Sequence, residues 1–173
     1  GTSTQGGNMA DGGWRGPLAS VFNAEATANL TTNSETTLRE ISFNAAALPL
    51  NATIRATAVG TVTGAADNKT IRVRLASTTT SSLLASIVYA AGNTGEWRVE
   101  VDLMLATNTV QRAWIKIYQG TTLAVSDLVE LANDHDTSTV SIALRINGQI
   151  ADVGLVDQII QRMWIAEVLN PQL

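Results

Sequence analysis

Two stretches of this chain alternate strictly, and that alternation limits its fold more than any other feature of the sequence. Across 69–75, Ile71, Val73 and Leu75 are interleaved with Thr70, Arg72 and Arg74; across 97–103, Trp97, Val99, Val101 and Leu103 are interleaved with Arg98, Glu100 and Asp102. A two-residue period gives a segment one dry face and one wet face, as in the antiparallel sheets of sandwiches and barrels. Composition agrees. Hydrophobic residues make up 45% of the chain and charged residues only 15%, a balance that suits strands and uncharged surfaces better than solvated helices. The expected fold class is all-β, an antiparallel β-sandwich.

The remainder divides in the same way. Residues 1–16 hold Gly6, Gly7, Gly12, Gly13 and Gly16 among small polar residues and show no periodicity, so they read as a flexible Gly-rich arm or linker. Residues 17–173 read as a single β-sandwich domain, within the size range of one core. Strands are expected over 20–27, 36–43, 53–63, 69–75, 82–89, 97–106, 110–119, 121–125, 139–147 and 158–169, with turns at Gly64 to Asn68, Gly92 to Gly95, Asn108, Gly120 and Asn147-Gly148. On the third, Ile54, Ala56, Ala58, Gly60 and Val62 share one side, small enough for a neighbour to approach closely. Helical spacing competes with strand over 125–132, and 150–156 reads as an irregular crossover. The last strand is apolar on both faces: Ile160, Trp164, Ala166 and Val168 on one, Ile159, Met163, Ile165 and Leu169 on the other. Such a strand is expected inside a larger assembly or at a subunit contact.

Several function classes are disfavoured. A formal charge of -4 gives no basic footprint for a nucleic-acid backbone. With no cysteine, neither disulfides nor thiolate metal sites can form. No apolar run approaches the ~20 residues that span a bilayer, and no signal-peptide pattern opens the sequence, so membrane insertion is not expected. Gly1 stands where an initiator Met would, and the expectation is a fragment of a longer chain.

Three segments carry a resemblance. Gly60-Thr-Val-Thr-Gly-Ala-Ala-Asp-Asn68-Lys69-Thr70-Ile-Arg-Val-Arg-Leu75, Gly95-Glu96-Trp97-Arg98-Val-Glu-Val and the closing Val-Asp-Gln-Ile-Ile-Gln-Arg-Met-Trp-Ile-Ala-Glu167-Val-Leu, with Phe22-Asn23 and Leu48-Pro49 upstream, together resemble a group of tailed-bacteriophage virion surface proteins over about residues 18–170. The resemblance implies a jelly-roll-like sandwich at the tip of a head spike, fibre or tail fibre, often trimeric, that holds host-surface glycans or decorates the capsid. One departure stands out. The group usually carries a Gly-Gly turn after the strand ending at Leu75, where this chain has the longer Ala76-Ser77-Thr78-Thr79-Thr80.

Candidate chemistry is sparse. His135, the one histidine, sits in Asn133-Asp134-His135-Asp136 and reads as an exposed turn rather than a metal ligand or base. A Ser-His-Asp set lacks the Gly-x-Ser-x-Gly elbow, and no catalytic residue is assigned. Glu100 and Asp102 share a face but read as a charge ladder with Arg98, Arg72 and Arg74 rather than a glycosidase pair. Asp67, Asp134 and Asp136 lack the dense spacing of a calcium site, and no metal or cofactor is expected. Asn29, Asn51 and Asn68 head Asn-x-Thr triplets that the phage resemblance makes incidental.

Sugars bind where an exposed ring meets planar polar groups. Trp114 and Tyr118, on one outward face with Arg112 and Lys116, are the candidate ligand-binding residues, with a trimer contact as the rival use of that face. Trp97 and Trp164 are expected in the core. Trp14, Ile159, Met163 and Ile165 are the candidate interface residues. The expected function is non-enzymatic attachment of a virion surface to host polysaccharide, as a homotrimer joined to other virion proteins through its arm. The alternative is a capsid decoration protein whose only partners are virion subunits.

Overall fold

The computed structural model describes residues 17–23, 26–28, 33–64, 66–151 and 158–169. The strands are β1 (Pro17–Asn23), β2 (Ala26–Ala28), β3 (Thr36–Phe43), β4 (Thr53–Thr63), β5 (Lys69–Ala76), β6 (Ser81–Tyr89), β7 (Gly95–Leu105), β8 (Val110–Gln119), β9 (Thr122–Ala132), β10 (Ile142–Ile150) and β11 (Gln158–Leu169). Sheet A is seven-stranded, in the order β1-β11-β4-β7-β8-β9 with β2 also on β11; sheet B is four-stranded, β3-β10-β5-β6. All pairings are antiparallel. The fold is therefore an antiparallel β-sandwich. Among the described residues no helix is long and apolar enough to cross a membrane.

The two alternating strands do not pair with each other. β5 lies between β10 and β6 in sheet B, and β7 lies between β4 and β8 in sheet A. Both contribute their apolar rows to one core: Ile71, Val73 and Leu75 from one sheet, Trp97, Val99, Val101, Leu103 and Leu105 from the other. Burying each large side chain contributes roughly 1.5–3 kcal/mol. β4 adds Ile54, Ala56, Ala58 and Val62, and β8 adds Ala113, Ile115 and Ile117. The small residues of β4 make room for indole. At Gly60 a Cβ would stand 2.0 Å from the Ile160 carbonyl oxygen and 2.4 Å from the Trp97 ring, so only glycine fits beneath that side chain. Trp97 and Trp164 are both in the core, as expected.

Several boundaries and faces differ from the sequence expectations. β11 carries a bulge between Gln161 and Met163, where its register against β4 shifts. A bulge adds a residue and resets the alternation, so Ile159 joins Trp164, Ala166 and Val168 in the core instead of facing away with Met163 and Ile165. This corrects Ile159 as an interface candidate. Met163 and Ile165 remain on the outer face, 39% and 38% exposed. Trp14 and the boundary of the 1–16 arm lie outside the described residues, as do residues 152–156 of the expected crossover.

Asn147-Gly148 is not a turn. Both residues lie within β10, where Asn147 opposes Arg72 and Gly148 opposes Ile71. A bulge against β3 falls between Ile146 and Asn147, and a Cβ on Gly148 would come 3.1 Å from the Ile159 side chain. The glycine accommodates packing from the opposite sheet rather than a reversal. β10 begins at Ile142, and Val140 packs against the core from the preceding loop. The expected strand over 20–27 is two, β1 and β2.

Residues 125–132 are strand, the continuation of β9. Its inner row runs Val125, Asp127, Val129 and Leu131, opposite Ile117, Ile115, Ala113 and Gln111 of β8. The exposed Asp127 in that row is an inward charge on an edge strand, a device that discourages further strand addition.

Candidate functional site

On the outer face of sheet A the strand registers line up side chains in rows across the strands. One row runs Met163, Val59, Arg98, Tyr118; the next Ile165, Thr57, Glu100, Lys116, Ser126; the next Glu167, Arg55, Asp102, Trp114, Leu128. Every member is the off-phase residue of a strand whose other row fills the core, so burial of one row fixes presentation of the other.

The centre of this face is a shallow depression of about 300 Å³ lined by Arg55, Thr57, Glu100, Asp102, Trp114 and Lys116 with parts of Ala56 and Val101. Trp114 is 45% exposed, and its cross-strand neighbour Leu128 is 63% exposed. The carboxylates are held by guanidinium groups. Arg55 Nε donates to Asp102 Oδ1 at 2.8 Å, and Arg98 Nη2 lies 2.9 Å from Glu100 Oε2. At the rim, Arg112 Nε donates to Glu130 Oε2 at 2.8 Å. The Arg55 guanidinium is held above its ordinary value, first by the Asp102 hydrogen bond and then by the Asp102 charge, with Glu167 adding to it. The arrangement offers a ring face beside planar, oriented hydrogen-bonding groups, the chemistry that suits a pyranose.

Of the sequence candidates, Trp114 and Lys116 line the depression directly. Arg112 sits one row away with its guanidinium on Glu130. Tyr118, four residues along β8 from Trp114 and roughly 13 Å distant, is half-buried between Arg98 and Leu123 in the register. Arg55 and Thr57 were not anticipated. Their signal was present in the off-phase row of β4, which the small core-side residues overshadowed.

The expected ladder of Glu100 and Asp102 with Arg72 and Arg74 is corrected: those arginines belong to sheet B. There they grip Glu35, with Arg72 Nη1 to Oε1 at 2.7 Å, Arg74 Nε to Oε2 at 2.5 Å and Asn147 Nδ2 to Oε2 at 2.6 Å. Burial alone would raise the Glu35 carboxyl, but the Arg74 and Asn147 hydrogen bonds and the charges of Arg74 and Arg72 outweigh it and hold the group below its ordinary value.

His135 is also corrected. It is 1% exposed rather than a surface turn. Its Nε2 lies 3.0 Å from Ser82 Oγ, which donates to Asp134 Oδ2 at 3.0 Å. A hydroxyl has one proton, so with Ser82 donating to Asp134 the imidazole must be the donor to Ser82. The acid sits on the serine instead of orienting the imidazole, which is not the arrangement of a nucleophile-base relay. Burial pushes the imidazole below its ordinary value, against the pull of Asp134 and the Leu75 carbonyl. Asp136 accepts from the Ser138 backbone N–H at 3.0 Å and from its hydroxyl at 2.6 Å. Among the described residues no three His, Asp or Glu side chains gather as a metal site.

No protein-family model and no curated protein matches the chain. Among solved structures it is similar to a protein of unknown function from Shewanella oneidensis MR-1, with 11% identity and a TM-score of 0.46 over 98% of this chain and 96% of that one. It is also similar to arcelin-5, a lectin-like defense protein of Phaseolus vulgaris, with 7% identity and a TM-score of 0.41 over 86% of this chain and 100% of that one. A third is a seed lectin of Lotus tetragonolobus, with 6% identity and a TM-score of 0.44 over 92% of this chain and 97% of that one.

Proposed function

We propose that this chain is a non-enzymatic carbohydrate-attachment module of a tailed-phage virion surface, with its ligand on the outer face of sheet A. The observation that carries the carbohydrate reading is Trp114: a large indole left 45% exposed in a depression walled by the ion-paired planar groups of Arg55, Asp102 and Glu100 together with Thr57 and Lys116. Leaving that much apolar surface wet is unfavourable unless something covers it. A sugar ring covers the indole while its hydroxyls meet Asp102, Glu100, Arg55 and Thr57. The non-catalytic reading is supported by the same ion pairs, since both carboxylates of the depression are committed to arginines and no acid is poised for proton transfer. The phage assignment is supported by the sequence resemblance.

A shallow site binds one sugar weakly, and attachment then relies on several copies acting together. The exposed Met163 and Ile165 on β11 favour a subunit contact on this sheet, and they also support the second reading, a decoration protein that touches only other virion subunits. A glycan array read with the parent protein and with Trp114→Ala tests the proposal. Binding by the parent that falls at least tenfold in the variant is expected. No glycan bound by the parent would favour decoration.

A further inference from the structure

We propose that the ligand is an acidic glycan, with its ring on Trp114 and its carboxylate against the Lys116 ammonium; this rests on the carbohydrate reading above. The argument is one of local charge. Among the described residues the outer face of sheet A carries the cations Arg55, Arg98, Arg112, Lys116 and, at the bulge of β11, the exposed Arg162, and the carboxylates Glu96, Glu100, Asp102, Glu130 and Glu167. The arginines around the depression are taken: Arg55 by Asp102, Arg98 by Glu100 and Arg112 by Glu130. The Lys116 side chain makes no ion pair or hydrogen bond among the described residues.

The carboxylates outside those pairs, Glu96 and Glu167, do not neutralise it: Glu96 is four residues along β7 from Glu100, the residue facing Lys116, roughly 13 Å away. Glu167 pairs in register with Arg55 on β4 and acts on that guanidinium. It lies three strands from β8, roughly 14 Å at the usual strand spacing, beyond a Debye length of about 8–10 Å. Glu100 is directly opposite Lys116 in register, but its carboxylate is held by Arg98 at 2.9 Å. With Asp102 counted against Arg55 and Glu100 against Arg98 from the neighbouring row, the charge left over beside Trp114 is that of Lys116.

Its position relative to the indole matters as much as its sign. Trp114 and Lys116 are two residues apart on one strand, so their side chains leave the same face about 6.6 Å apart. That spacing matches a pyranose lying on the ring with an exocyclic carboxylate directed along β8. A neutral sugar gains only the ring and hydroxyl contacts. A uronic acid adds a charge-assisted hydrogen bond to a partly desolvated ammonium.

Calorimetry with oligogalacturonate and with its carboxyl-reduced form, on the parent, Lys116→Gln, Lys116→Arg and Trp114→Ala, tests this. The parent is expected to bind the acidic form about tenfold more tightly than the reduced form, with the preference lost in Lys116→Gln, retained in Lys116→Arg, and both forms lost in Trp114→Ala. Equal binding of the two forms, dependent on Trp114 but indifferent to Lys116, would overturn the acidic-ligand proposal and leave the carbohydrate reading standing. Binding of neither form, together with an array on which no other glycan is bound, would overturn both.

Discussion

At Gly60 a single missing methyl group decides whether three neighbouring strands of one sheet, β11, β4 and β7, can pack around an indole. The position a Cβ would take is already filled by the Ile160 carbonyl oxygen and the Trp97 ring, and one of these is backbone that cannot rotate aside. Gly60→Ala is expected to cost about 1–3 kcal/mol of stability, read as a lowered midpoint in urea unfolding. Gly148→Ala meets the Ile159 side chain alone, tightly only at its Cδ1 tip at 3.1 Å, and is expected to cost less. Two titratable residues contribute to the response to acid. The folded-state values of Glu35 and His135 both lie below their ordinary 4.5 and 6.5, so in each case the unfolded chain takes up its proton first as pH falls. Stability is thus full above about 6.5, declines below it as His135 is charged in the unfolded chain, and declines again below about 4.5 through Glu35. Thermal melts between about pH 8 and pH 3 should show both stages, with the upper one absent in His135→Gln and the lower one shallower in Glu35→Gln.

At the level of the strands, alternation was legible wherever one face is dry and the register is unbroken. β3, β4 and β8 begin and end where the pattern does, because their apolar rows leave one choice of face. What was illegible came from bulges and from glycine. The bulge in β11 resets the parity, so a residue counted on the outer face, Ile159, is in the core. Asn147-Gly148 has the composition of a turn, but its surroundings are a paired strand with Ile159 pressing from the other sheet. β9 was half hidden because an inward Asp127 interrupts its apolar row and leaves spacing that fits a helix as well. For the site, the strand period placed Trp114 and Lys116 on one wet face without revealing which strands flank them. Arg55 and Thr57 come from a strand far away in sequence, and no local pattern joins them to Trp114. His135 was misread because burial of a loop histidine depends on Ser82, which arrives from another strand.

For the molecule as a whole, the wide sheet presents one outer surface with two characters: a polar depression around β7 and β8, and apolar Met163 and Ile165 on β11. The proposed trimer uses the second and leaves the first to the ligand. Light scattering on the parent is then expected to give about three times the 18.3 kDa chain mass, and Ile165→Glu to return it toward one chain, because a desolvated carboxylate in an apolar contact is strongly disfavoured. A parent already at the single-chain mass would remove the trimer. The strand order has a practical corollary. β1 enters at one margin of the wide sheet, and β8 lies four strands further across, roughly 19 Å away. A biotin or dye attached at β1 would hold the protein by the margin remote from Trp114, which makes that strand the natural handle for mounting it on a sensor surface.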